Sequence, residues 1–193
     1  MTVASDVNRG LEGFSLSRSG TLIYVPGQIG GGGSLYQMVW VDRSGTVTVV
    51  DPAWKPVRLT ASGNSHGWAL SPDGRQLAIG LTTDAGNDIW IKQIPSGALT
   101  KLTSGRAWSF RPRWMPGGRS VYYPGNGGVS AQRADGVGPV TRLWVGGVGG
   151  AANPVEAVVS PDSQWLIVRV GSYLAVTSMV VGSRARTRPW FRS

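Results

Sequence analysis

The residues best suited to chemistry stand together at Gly63-Asn64-Ser65-His66-Gly67, a literal match to the hydrolase pattern Gly-x-Ser-x-Gly. In that pattern the serine sits on a sharp strand-to-helix turn, and a histidine from elsewhere in the chain folds back onto it. Neither condition is met. His66 is the only histidine, and as the next residue its side chain points away from Ser65 in an extended backbone. A short apolar segment and a Ser-Pro-Asp-Gly turn follow where a helix is needed. The glycine-rich run 26–34 invites a phosphate-cradle reading, but it lacks Gly-Lys-Ser/Thr and leads into no helical pattern. Asp73, Asp135 and Asp162 belong to turns, and no two carboxylates stand at a spacing suited to paired acid–base work. Cysteine is absent, which excludes disulfides and thiolate metal sites. The sequence therefore predicts no catalytic residue, no metal and no cofactor.

The elements that must position any functional group are set by a repeat. Ser71-Pro72-Asp73-Gly74-Arg75-Gln76-Leu77-Ala78-Ile79 is a tight turn feeding an apolar strand. It returns as Met115-Pro116-Gly117-Gly118-Arg119-Ser120-Val121-Tyr122-Tyr123 and again as Ser160-Pro161-Asp162-Ser163-Gln164-Trp165-Leu166-Ile167-Val168. A weaker copy is Ser17-Arg18-Ser19-Gly20-Thr21-Leu22-Ile23-Tyr24-Val25. Proline pre-sets the first corner, Asp accepts local backbone hydrogen bonds, and Gly takes the positive φ. A second hairpin follows in each repeat, as in Asp88 to Gln93, the turn Pro95-Ser96-Gly97, and the return strand Ala98 to Thr103. Four strands at this period are the signature of a β-propeller blade. The expected fold is all-β, a partial propeller of about four four-stranded antiparallel blades at 14–60, 61–105, 106–150 and 151–183, the last incomplete. Residues 1–13 are expected to be a leader and 184–193 a basic tail. Within a blade, residues such as Leu77, Ile79, Ile89 and Ile91 alternate with others, as a pleat with one face on a neighbouring blade requires. Trp90 and Trp114 fall inside strands and read as core.

The segments SPDGRQLAIG, NDIWIKQIPSGALTKLTSG and RPRWMPGGRSVYY resemble TolB-type propeller repeats, and their combination is similar to the propeller halves of some bacterial membrane-anchored serine/threonine kinases. The resemblance covers roughly residues 14–170. It departs at Gly117, where the pattern has Asp, and at Ser163, where it has Gly. It implies a ring of about six to eight blades, a periplasmic or extracytoplasmic setting, and a protein or peptide ligand. Met1 to Asp6 lack the basic and apolar regions of a secretory signal. Propellers of this kind also resemble the gating domain of prolyl-oligopeptidase-type serine hydrolases, so an accessory role beside such a hydrolase or a receptor-type kinase is the alternative.

Charged residues make up only 15% of the chain and hydrophobic residues 41%, as a folded core requires. The net charge of +9 comes almost wholly from arginine, scattered through turns at Arg43, Arg75, Arg106 and Arg119. A specific nucleic-acid interface would need a basic stripe with stacking aromatics. The one dense group, Arg184, Arg186, Arg188 and Arg192, reads as a solvated terminus. No apolar run approaches the ~18 residues of a membrane helix. The best reading is a non-catalytic binding or scaffold module whose loops between blades contact the ligand through Ser65, His66, Trp68, Trp108, Phe110 and Arg111. The remainder of a parent propeller is a second expected partner. A run of four blades should leave two blade faces uncovered, carrying residues like Ile89, Trp90, Trp165 and Ile167.

Overall fold

The Ser71 turn forms as its residues dictate. The Ser71 hydroxyl donates to Asp73 Oδ1 at 2.6 Å and accepts the amide of Gln76 at 2.9 Å. Asp73 Oδ1 accepts the amide of Arg75 at 3.0 Å, and Gly74 sits at φ +74°. These bonds hold the Asp73 carboxyl below its usual range, the hydrogen bond from Ser71 contributing most. The turn joins β7 (Trp68–Leu70) to β8 (Gln76–Thr83), paired Trp68 to Ile79 and Leu70 to Leu77. At residue 163 the repeat keeps this geometry without glycine: Ser163 adopts φ +58° and Asp162 Oδ1 accepts the amide of Gln164.

The computed structural model describes residues 14–16, 22–24, 35–58, 67–104, 108–125, 127–146, 153–172 and 175–184, and among them there is no helix. The first sheet comprises β1 (Phe14–Leu16), β2 (Leu22–Tyr24), β4 (Val39–Val41) and β5 (Val47–Val49), with β3 (Leu35–Tyr36) and β6 (Val57–Arg58) paired beside it. The second runs β7, β8, β9 (Gly86–Gln93) and β10 (Leu99–Lys101). The third runs β11 (Arg113–Trp114), β12 (Ser120–Gly125), β13 (Gly128–Arg133) and β14 (Thr141–Val145). The fourth has three strands: β15 (Asn153–Val159), β16 (Trp165–Ser172) and β17 (Ala175–Arg184). All pairings are antiparallel, and in the second, third and fourth sheets each strand pairs with its chain neighbour, the meander of a propeller blade. The glycine-rich run 26–34 lies outside the described residues. The last strand takes in Arg184, paired with Trp165.

At each of three junctions the forward face of one sheet packs on the backward face of the next. Leu70, Leu77, Ile79 and Leu81 meet Met38 and Val50 of the first sheet's hairpin. Ala69, Ala78, Ile89 and Ile91 meet Trp114, Val121 and Tyr123 of the third sheet. Tyr122, Val129 and Ala131 meet Ala157, Val159, Leu166 and Val168 of the fourth. The middle sheets are therefore buried on both faces rather than on one. Because of this, β8 from Leu77 to Leu81 is buried without alternation. Ile89, expected on an uncovered face, lies fully buried between the second and third sheets. Trp90 is half-buried against the core between the first and second sheets, and Trp114 is buried.

Candidate functional site at the inner edge

The first strands of successive sheets approach one another, β1 against β7 and β7 against β11, and form an inner edge. Four residues ahead of each repeat turn stand Gly67, Arg111 and Glu156. These equivalent positions are neighbours in space. A Cβ on Gly67 would lie 2.4 Å from Arg111 Cα, so only glycine permits this approach. Arg111 is buried at φ +45°, and its Nη1 donates to the Val155 carbonyl at 3.1 Å. The same nitrogen lies 3.9 Å from Glu156 Oε2.

Two further arginines converge on this carboxylate. Arg113 Nη2 stands 3.4 Å from Glu156 Oε1, and Arg169 Nε donates to Glu156 Oε2 at 3.2 Å. Arg169 is placed there by register, since it pairs with Glu156 across β15 and β16. Three guanidinium groups on one carboxylate leave two positive charges in excess. Arg113 and Arg169 are 49% and 40% exposed, so water screens them and they remain reachable. Planar guanidinium groups of this kind bind carboxylates in bidentate fashion.

Of the residues expected to contact ligand, Ser65 and His66 lie outside the described residues. Trp68 is a core residue, 8% exposed between the first and second sheets, because its side chain takes the backward face of β7. Its expected role as a loop contact gives way to packing. Trp108 is 48% exposed, Phe110 is half-buried, and both lie on the segment that enters the third sheet through Arg111. Sequence reasoning missed Arg113, Glu156 and Arg169. The repeat could have found Glu156, which occupies the position of Arg111 relative to its turn. Among the described residues no three His, Cys, Asp or Glu side chains stand close enough to hold a metal ion.

Four antiparallel sheets stacked face to face, with first strands inward, define an arc of a β-propeller. Its fold is TolB-like. The putative TolB of Agrobacterium tumefaciens superposes with a TM-score of 0.62 at 21% identity, over 89% of this chain and 60% of that one. TolB of Acinetobacter baumannii gives 0.61 at 15% identity, over 89% of this chain and 40% of that one. The oligogalacturonate lyase of Vibrio parahaemolyticus gives 0.61 at 12% identity, over 89% and 50%. This chain thus spans 60% or less of the length of each. No protein-family model and no curated protein matches the sequence.

Proposed function

We propose that this chain is a non-catalytic propeller module that binds protein or peptide ligands, with the inner-edge arginines receiving an acidic group of the ligand. The observation that supports this most is the convergence of Arg111, Arg113 and Arg169 on the single carboxylate of Glu156. An incoming carboxylate would share two partly exposed guanidinium groups that Glu156 alone does not saturate. Trp108, exposed on the segment that enters the third sheet, offers an aromatic anchor. The likeness to TolB proteins supports the architecture, and the charge cluster supports the ligand chemistry.

The test is fluorescence anisotropy with a labelled Glu-rich hexapeptide and its Gln counterpart, titrated with the full chain at low and moderate salt. The Glu peptide should bind, and Arg113→Gln with Arg169→Gln should weaken it by about tenfold or more. Added salt should weaken it further. Equal binding of the two peptides, or binding indifferent to both substitutions, overturns the assignment.

A further inference from the structure

Register sets three polar residues in a row across the third sheet. Tyr123 on β12 pairs with Ser130 on β13, and Ser130 pairs with Arg142 on β14. Period-two alternation puts them on the backward face, with Val121. Toward the inner edge this face is sealed, since Trp114 and Val121 pack on Ala69, Ala78 and Ile91 of the second sheet. Toward β14 a cavity of about 270 Å³ lies between the third sheet and the chain leaving β10. Tyr123, Ser130, Gln132 and Arg142 line one side of it, and Leu102 and Ser109 line it from the segment between the sheets.

The polar groups here are buried and uncommitted. Ser109, Tyr123 and Ser130 are only 4%, 6% and 8% exposed. Yet among the described residues neither their hydroxyls nor the Arg142 guanidinium has a hydrogen-bond or ion-pair partner. Buried hydroxyls are ordinarily satisfied. Thr103, also on the cavity wall, shows the ordinary case: its hydroxyl donates to Asp88 and accepts the amide of Ile89. Arg142 is held close to the row. Burial raises the Tyr123 hydroxyl above its usual value, and the charge of Arg142 opposes that rise. Gly128 makes room for the guanidinium, since a Cβ there would stand 3.1 Å from Arg142 Nη1 and closer still to the Trp144 carbonyl.

We propose that this cavity binds a small carboxylate bearing several hydroxyl groups, a sugar acid of single-ring size, with Arg142 receiving the carboxylate. The guanidinium fork matches a carboxylate in two parallel hydrogen bonds. Serine and tyrosine hydroxyls both donate and accept, as does the Gln132 amide, and the alcohols of such a ligand do the same. Leu102 and Val140 give an apolar wall for the C–H face of the ring. The volume falls just under the ~300 Å³ at which small-molecule sites begin, which restricts the occupant to one ring. A single cation balances one carboxylate and leaves a doubly charged phosphate half neutralised. The cavity shares no side chain with the inner-edge arginines, so the two sites stand or fall separately.

Isothermal titration calorimetry on the full chain tests this with D-glucuronate and its epimer D-galacturonate. At least one should bind with a Kd of about 1 mM or tighter. D-Glucose, which lacks the carboxylate, and cyclohexanecarboxylate, which lacks the hydroxyls, should each bind about tenfold more weakly or not at all. Arg142→Gln should raise the Kd about tenfold and Ser130→Ala about threefold. Melting temperatures should stay at the wild-type value, because neither side chain gives up an internal partner. Binding of neither uronate overturns the proposal, and so does equal binding of glucose or of cyclohexanecarboxylate. Uronate binding that survives Arg142→Gln but is lost in Arg113→Gln with Arg169→Gln also overturns it, by moving the ligand to the inner edge.

Discussion

The second and third sheets share strand order, turn position and apolar phasing, yet different chemistry fastens them to their neighbours. The second sheet uses charge. Lys92 on β9 is 2% exposed, and its ammonium donates to Asp51 Oδ2 at 2.6 Å and to the Gly97 carbonyl at 2.7 Å. The same ammonium stands 5.6 Å from the centre of the Trp54 ring. Within the second sheet itself, Asp88, also buried, accepts the Thr103 hydroxyl at 2.9 Å and meets Lys101 at 2.6 Å. Apart from the Arg111 and Arg113 contacts with Glu156 at the inner edge, the third sheet fastens its junctions with neutral aromatics. The Trp114 indole donates to the Ala69 carbonyl at 2.7 Å, across to the free edge of β7. The Tyr122 hydroxyl accepts the amide of Val159 at 3.2 Å, from the first strand of the fourth sheet. The repeat thus fixes backbone and apolar phase, and leaves the polar fastening of each junction free to vary.

Breaking the charged junction should have the largest effect. Asp51→Ala leaves the Lys92 ammonium buried with only a carbonyl and a ring face, and an uncompensated buried charge is among the costliest defects. Its loss of melting temperature should exceed that of every other variant named below. The pH dependence carries the same signature. The hydrogen bond from Lys92, followed by the amide of Ala53, holds the Asp51 carboxyl below its usual range. A carboxylate lowered by folding contributes stability that is present above its unfolded value and lost as pH falls through its folded one. The gap in melting temperature between wild type and Asp51→Ala should therefore narrow as pH falls below about 4. A gap constant from pH 7 to pH 2 breaks the comparison.

The neutral junction should respond less, and without acid dependence. Trp114→Phe removes the bond to the Ala69 carbonyl and some buried ring surface, for an expected loss of about 1–2 kcal/mol. Tyr122 points the same way at the other extreme of pH. Burial raises its hydroxyl above the ordinary tyrosine value, so its neutral form belongs to the folded state. That contribution is present below the unfolded value and fades as pH rises through the folded one. Between pH 4 and 9, urea titrations of Trp114→Phe and wild type should give a constant difference. A difference that shrinks in acid, as for Asp51→Ala, removes the distinction between the junctions.

What the sequence discloses follows this division. The turns are legible because their bonds run between near neighbours, as from Ser71 to Asp73 and Asp73 to Arg75. Strand β7 falls where the Ser-Pro-Asp-Gly turn requires it, at Trp68–Leu70. Burial on both faces is less legible, because nothing local tells Ala78 that Trp114 and Val121 lie beyond it. Lys92 and Asp51 stand 41 residues apart, and Lys92 reads locally as a solvent-facing strand lysine. The arginine cluster is hidden likewise, since Arg113 and Glu156 meet only once two sheets are stacked. Trp68 was misleading because tryptophan serves loops and cores equally well, and only its phase on β7 decides between them.

The smallest expected effect lies in the turns themselves, where the two sheets differ by a carboxylate. The third-sheet turn keeps the backbone bonds, with Gly118 N donating to the Met115 carbonyl at 2.8 Å, and Gly118 keeps φ +70°. It has neither the serine hydroxyl nor the aspartate that staples the second-sheet turn. Gly117 has no positive φ, and nothing lies within 4 Å of a Cβ built there. Gly117→Asp can therefore accept the amide of Arg119 as Asp73 accepts that of Arg75, while also restricting the unfolded chain. The outcome should be neutral or stabilising by up to about 1 kcal/mol. Gly74→Val is the counterpart. It too meets no neighbour, so its cost is conformational alone, about 1 kcal/mol or more for a β-branched residue at φ +74°. Two turns of one geometry should thus move in opposite directions in thermal melts. Equal losses in the two variants would mean that residues 117 and 73 do not play the same part in their turns.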